Sequence, residues 1–132
     1  MRASEVMIAD PVVAAAGATS SEVAALMRVK NISVVPVVDN PKDRQYLGTI
    51  SDRDIVARCL GAGHDPSNCS AADHARTDTP VVKPETELEG YKIAKQLDAT
   101  DHHVRATIVV VDAGKVVGFI PHPEDVHGIV IA

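Results

Sequence analysis

The sequence predicts an α/β (α+β) fold made of two tandem β-α-β-β-α units. Three observations carry that prediction. A helix-capping pattern, S/T-x-x-E, occurs at Thr19-Ser20-Ser21-Glu22 and again at Thr86-Glu87-Leu88-Glu89. A β-branched run ends in aspartate twice, at Asp39 and at Asp112. A glycine-bearing apolar strand then follows each run, around Gly48 and Gly118. The paired features lie 67, 73 and 70 residues apart, so one unit is repeated with small insertions. A single unit cannot bury both faces of its sheet, whereas two packed together can. The expectation is pseudo-twofold packing with two related clefts between the halves. Residues 1–60 form the first repeat, 61–69 a linker and 70–132 the second repeat.

Each element has a local reason. Ser4 to Met7 reads as one helical turn, closed by Asp10-Pro11. Val12 to Ala16 is a short strand, and Gly17-Ala18 turns the chain. The helix after Thr19 runs to Lys30, with Val23, Leu26 and Met27 on one face and Asn31 as its stop. Ile32 to Val38 is a strand, in which Pro36 implies an edge position or an irregularity. Asp39 to Asp43 is a polar turn. Leu47 to Ile50 is the next strand, and a helix from Asp52 runs to about Leu60. The glycine-rich stretch Gly61 to Asn68 links the repeats.

The pattern then restarts. Ser70 to Asp73 is a short turn matching Ser4 onward, and Pro80-Val81-Val82 is a short strand. A helix follows to about Thr100, with Leu88, Tyr91, Ala94 and Leu97 at helical spacing. Thr107 to Val111, the turn Ala113-Gly114-Lys115 and Val116 to Ile120 form a hairpin. A short helix and the apolar tail Gly128 to Ala132 close the chain, the tail covering a sheet edge or serving an interface.

Composition narrows the function classes. The net charge is −5 with no basic run, which excludes nonspecific binding to nucleic acid or to an anionic membrane. The aromatics are Tyr46, Tyr91 and Phe119, too few for a base-stacking surface. No apolar run reaches the roughly 20 residues that span a bilayer, and no signal-like apolar stretch follows Met1. A cytoplasmic location is the expectation. Cys59 and Cys69 fit no zinc spacing by themselves; they read as free thiols, with a bridge as the alternative.

The stretch Gly48-Thr49-Ile50-Ser51-Asp52-Arg53-Asp54-Ile55 leaves a buried strand through a polar turn into a helix. With Val6-Met7, Val34 to Asp39, Val82 to Leu88 and His103-Val104-Arg105, it resembles the CBS domain pair, named after cystathionine β-synthase. The resemblance covers nearly the whole chain, which looks like a stand-alone pair. It implies a regulatory module rather than an enzyme, with no required cofactor. Its ligand would be adenosine-containing: AMP, ADP, ATP or S-adenosylmethionine. It also implies a homodimer and a protein effector that receives the signal.

The resemblance places the ribose on a G-x-x-S/T-x-x-D turn, here Ser51 and Asp54, with Asp52 and Arg53 beside them. The chemistry agrees. A carboxylate accepts hydrogen bonds from two vicinal hydroxyls, a serine hydroxyl reaches the same sugar, and Arg53 supplies charge for phosphate. The bland alternative is that Ser51 caps the helix and Asp54 favours its positive end. The implied opposite wall is Thr79, Pro80, Val81, Val104 and Arg105. The second copy, Gly118 to Asp125, has Pro121 in place of the hydroxyl and its aspartate one residue late, so the second cleft, walled by Pro11 to Val13 and Ile32-Ser33, is expected to be weakened.

Other readings are an enzyme on His122, Glu124, Asp125 and His127, a metal site on His122, Asp125 and His127, and a metal site at His102-His103; none has a completing ligand or base at a telling spacing. The serious alternative is a ligand-free dimeric interaction or stress-response protein, thiol-regulated through Cys59 and Cys69.

Overall fold

The computed structural model of the chain describes residues 1–88 and 107–121. These fall into two units that do not follow chain order. One combines Met1–Pro11 with the described residues from Thr79 onward; the other is Val12–Asp78. The expected helix beyond Leu88, the pairs His102-His103 and Val104-Arg105, and the second turn beyond Pro121 lie outside the described residues, as does the C-terminal tail.

In the Val12–Asp78 unit, the elements are β2 (Ala14–Ala15), α2 (Ser20–Lys30), β3 (Val34–Val38), β4 (Tyr46–Ser51), α3 (Asp52–Asp54) and α4 (Ala71–His74). The sheet order is β2-β3-β4, with β2 parallel and β4 antiparallel to β3. The Thr19 capping box forms as the sequence predicts. Glu22 N–H donates to Thr19 Oγ1 at 3.1 Å, and Thr19 N–H donates to Glu22 Oε1 at 3.2 Å. Asn31 ends α2 in the left-handed region, at φ 55°. Val23 and Met27, one turn apart on α2, pack with Val35, Val37, Ile50, Ile55 and Ala71 as the core. Every residue of β3 is buried, which explains its run of valines.

Pro36 sits on the middle strand of this sheet, not on an edge. Its partner across β4 is Thr49. Thr49 donates its N–H to Arg76 O at 2.9 Å and accepts Arg76 N–H at 2.7 Å, so both its backbone groups face away from β3. No ladder bond crosses at the Pro36–Thr49 pair, and the missing proline N–H costs β4 nothing.

The helix expected from Asp52 to Leu60 changes pitch. After α3, Ile55–Leu60 is π-helical: Gly61 N–H reaches back five residues to Val56 O, and His64 N–H five residues to Cys59 O. Such wide turns are rare and concentrate at functional sites.

In the other unit, β1 (Ile8–Ala9), β5 (Val81–Val82), β6 (Ile108–Asp112) and β7 (Lys115–Ile120) form a sheet in the order β1-β7-β6-β5. The helical turn α1 (Ala3–Val6) is tied down by Ala3 N–H to Thr86 O and Ser4 N–H to Pro84 O, both 2.9 Å. Ala3, Leu88, Ile108, Val110 and Ile120 form the core. The β6–β7 turn places Ala113 at φ 50° and Gly114 at φ 82°. Two consecutive left-handed residues are what a two-residue hairpin following the strand twist requires.

The two hairpins share one register. Val37 faces Gly48 and Val110 faces Gly118, with a shift after Val37 and after Val110. Each glycine is covered by a segment from the other repeat: Ala75-Arg76 lies over Gly48, and Met7 over Gly118. The repeat boundaries read from the sequence thus describe chain order, while each unit takes one segment from the other repeat.

Candidate functional site

The strand β4 delivers Ser51 to the start of α3 in extended conformation (φ −110°, ψ 165°). From there the Ser51–Asp54 turn closes on itself. Asp54 N–H donates to Ser51 Oγ at 3.1 Å, while Ser51 N–H and Ser51 Oγ both donate to Asp54 Oδ2 at 2.9 Å. Asp52 N–H donates to Ser33 O at 2.9 Å, anchoring the turn to the chain entering β3. Asp52 and Arg53 are exposed, and Asp52 Oδ1 accepts the Arg53 N–H at 2.7 Å.

Asp54 is 2% exposed, and a carboxylate so deep needs a cation. Arg76 supplies it, donating Nε–H to Asp54 Oδ1 at 2.7 Å. Arg58, one turn on, holds Nη1 at 4.0 Å from the same oxygen and donates to His74 O at 3.1 Å. Arg76 is delivered by its two backbone bonds to Thr49. No sequence spacing announces this pair, because 22 residues and a whole helix–loop–helix separate its members. An ionised carboxylate has about four acceptor positions, and three are engaged here by Ser51 and Arg76.

Of the residues named from sequence, Ser51, Asp52, Arg53 and Asp54 share this one turn. Thr79, Pro80 and Val81 are consecutive in the other unit at the start of β5, where Pro80 O accepts Val109 N–H at 3.0 Å and Val81 is exposed. Val104 and Arg105 lie outside the described residues.

The sequence reading missed a second cluster in the Val12–Asp78 unit. Cys59 on the π-helical segment, Cys69 before α4 and His74 at its end bring their ligand atoms within 4.8 Å of one another, and all three are buried. The cysteines are unbridged, and among the described residues His74 Nε2 is buried without a hydrogen-bond partner. Burial, then the hydrogen bond and charge of Cys59, push the Cys69 thiol up. The His64 ring centroid lies 5.9 Å from that of His74. One signal could have found the cluster: Cys59, His64, Cys69 and His74 recur every five residues.

A family model described as CBS domain matches residues 3–61. An uncharacterised protein of Methanopyrus kandleri is 31% identical over 102 residues, covering 77% of this chain and 49% of its own. Inosine-5'-monophosphate dehydrogenase of Staphylococcus saprophyticus is 30% identical over 109 residues, 81% of this chain and 22% of its own. The chain therefore spans about half and about a fifth of the length of these two relatives. Among solved structures, hypoxic response protein I with two coordinated zinc ions superposes with TM-score 0.77 at 26% identity, covering 95% of both chains; hypoxic response protein 1 of Mycobacterium tuberculosis is 26% identical over 106 residues, 80% of this chain and 69% of its own. CBSX2 in complex with AMP superposes with TM-score 0.73 at 22% identity, over 94% of this chain and 91% of its own.

Proposed function

The chain belongs to the CBS-domain family, and from that premise we propose that it is a non-enzymatic regulatory module binding an adenosine-containing nucleotide at the Ser51–Asp54 turn. The observation that supports this most directly is the buried Asp54 carboxylate on a strand-to-helix turn, next to a serine hydroxyl and the exposed Arg53. One structure sharing this fold holds AMP. Binding a ribose here exchanges the Arg76 bond on Asp54 Oδ1 for the two sugar hydroxyls, and Arg53 meets the phosphate. The module works as a homodimer in the cytoplasm and passes occupancy to a protein effector. Thr79, Pro80, Val81, Val104 and Arg105 belong to the same proposal as residues contacting the base and phosphate.

A second reading is favoured by the same carboxylate: Ser51 and Arg76 already satisfy Asp54, as a purely structural pair would. The chain is then a ligand-free dimeric interaction or stress-response protein.

A thermal-shift panel of AMP, ADP, ATP, NADH and S-adenosylmethionine separates the two. A true ligand at 100 times its Kd adds about 2.7 kcal/mol to stability. Asp54→Asn, which keeps the shape of the side chain, is expected to abolish the shift, and Arg53→Ala to weaken it for the phosphorylated ligands only. No shift with any adenosyl compound supports the ligand-free reading.

A further inference from the structure

We propose that Cys59, Cys69, His64 and His74 form a binding site for one zinc-class divalent cation, separate from the Asp54 turn. Two thiol sulfurs and an imidazole nitrogen within 4.8 Å of one another already have nearly the arrangement a tetrahedral site needs. With metal–sulfur bonds of about 2.3 Å and metal–nitrogen bonds of about 2.0 Å, neighbouring ligands lie roughly 3.3–3.8 Å apart, so the group closes by about 1 Å. The ligand set is S2N2, which selects zinc over the oxygen-seeking calcium and magnesium.

Three features point at a ligand rather than at ordinary packing. The first is His74, 7% exposed, whose Nε2 lacks a partner among the described residues although a buried imidazole nitrogen ordinarily finds one. A disulfide between the two cysteines leaves that nitrogen unexplained; a cation at the centre of the group accounts for all three side chains. The second is that the nearby carboxylates are held by their own hydroxyl and backbone partners: Asp65 accepts from Ser67, and Asp73 from Ser70. The third is the loop that brings His64 in. Its N–H donates to Cys59 O at 2.9 Å, folding residue 64 back over the helix end and setting its ring beside that of His74.

The site ties together the π-helical segment, the loop 61–68 and α4. It also lies close in sequence to the Asp54 cations: Arg58 precedes Cys59, and Arg76 follows His74 by two residues.

The test uses the untagged full chain, purified under reducing conditions and incubated with zinc, then with cobalt. The expected results are one zinc retained per chain after dialysis, tetrahedral cobalt d–d bands with a thiolate charge-transfer band, and both thiols protected from alkylation until a chelator is added. Cys69→Ser and His74→Ala are expected to lose the metal, and His64→Ala to weaken binding by at least about tenfold. Folding of each variant is checked by its amide spectrum; alkylation of the wild-type chain with and without zinc tests the site even if a variant unfolds. Zinc retained equally by folded Cys69→Ser or His74→Ala, or thiols that zinc leaves unprotected, overturns the site. Unchanged affinity in His64→Ala overturns the assignment of the fourth ligand.

Discussion

Asp54 shows what the sequence makes legible at the scale of a single residue. Its hydroxyl partner three positions back can be read from Ser51-Asp52-Arg53-Asp54, and the reciprocal bonds between Ser51 and Asp54 are present. Arg76 cannot be read this way, since a buried carboxylate demands a cation but does not say which of the chain's arginines and lysines will come. The consequence is measurable. Among the described residues, removing Arg76 leaves Asp54 buried with its charge opposed only by Arg58 at 4.0 Å. Arg76→Met is expected to lower unfolding stability by about 2–3 kcal/mol, and the double-mutant cycle with Asp54→Asn to return a coupling of at least about 1 kcal/mol. Urea titrations with unchanged slope would carry the measurement. A coupling near zero would mean that the 2.7 Å contact contributes nothing beyond shape.

Elements were legible where the chemistry is local. The Thr19–Glu22 box, the Asn31 stop and the Ala113-Gly114 hairpin each follow from a few adjacent residues. Elements defined by distant partners were not: β1 exists because Ile8-Ala9 pairs with Phe119 and Gly118 over 100 residues later. The two repeat-related glycines make the same point through a contrast. A Cβ on Gly48 would stand 2.5 Å from Arg76 O, which accepts the Thr49 N–H in a residue tied to Thr49 by two backbone bonds. A Cβ on Gly118 would instead meet the side chain of Met7, which has three rotatable bonds. Gly48→Ala is therefore expected to cost about 2–3 kcal/mol, since the bridge to Thr49 must shift. Gly118→Ala should cost less and be largely restored by Met7→Ala. Thermal melts of the three variants decide it; equal losses at both glycines would show that backbone and side-chain neighbours yield alike.

At the scale of the whole molecule, the repeat and the folding unit are different things. Repetition in the sequence marks residues 1–60 and 70–132 as equivalent, and the β3–β4 and β6–β7 hairpins share one register. The cores are cut elsewhere. That of Val12–Asp78 includes Ala71 and rests Ala75 against it, both from beyond the linker, while that of the other unit includes Ala3 from the chain's beginning. Repetition reveals which segments correspond but not which copy each one packs on, because α1 and α4 are equally compatible with either hairpin as sequence. The units predict how the chain can be divided. A fragment of residues 12–78 keeps its core, its Arg76–Asp54 pair and the Thr49–Arg76 bridge. It is near the lower size limit for folding alone, so it should melt cooperatively but at a lower temperature than the full chain. A fragment of residues 1–60 lacks Ala71 and Arg76, leaving Gly48 uncovered and Asp54 short of its nearest cation, and should show no cooperative transition. Circular dichroism melts and amide dispersion of the two fragments test this directly. A cooperative 1–60 beside an unfolded 12–78 would mean that the repeat, and not the exchanged unit, is what folds.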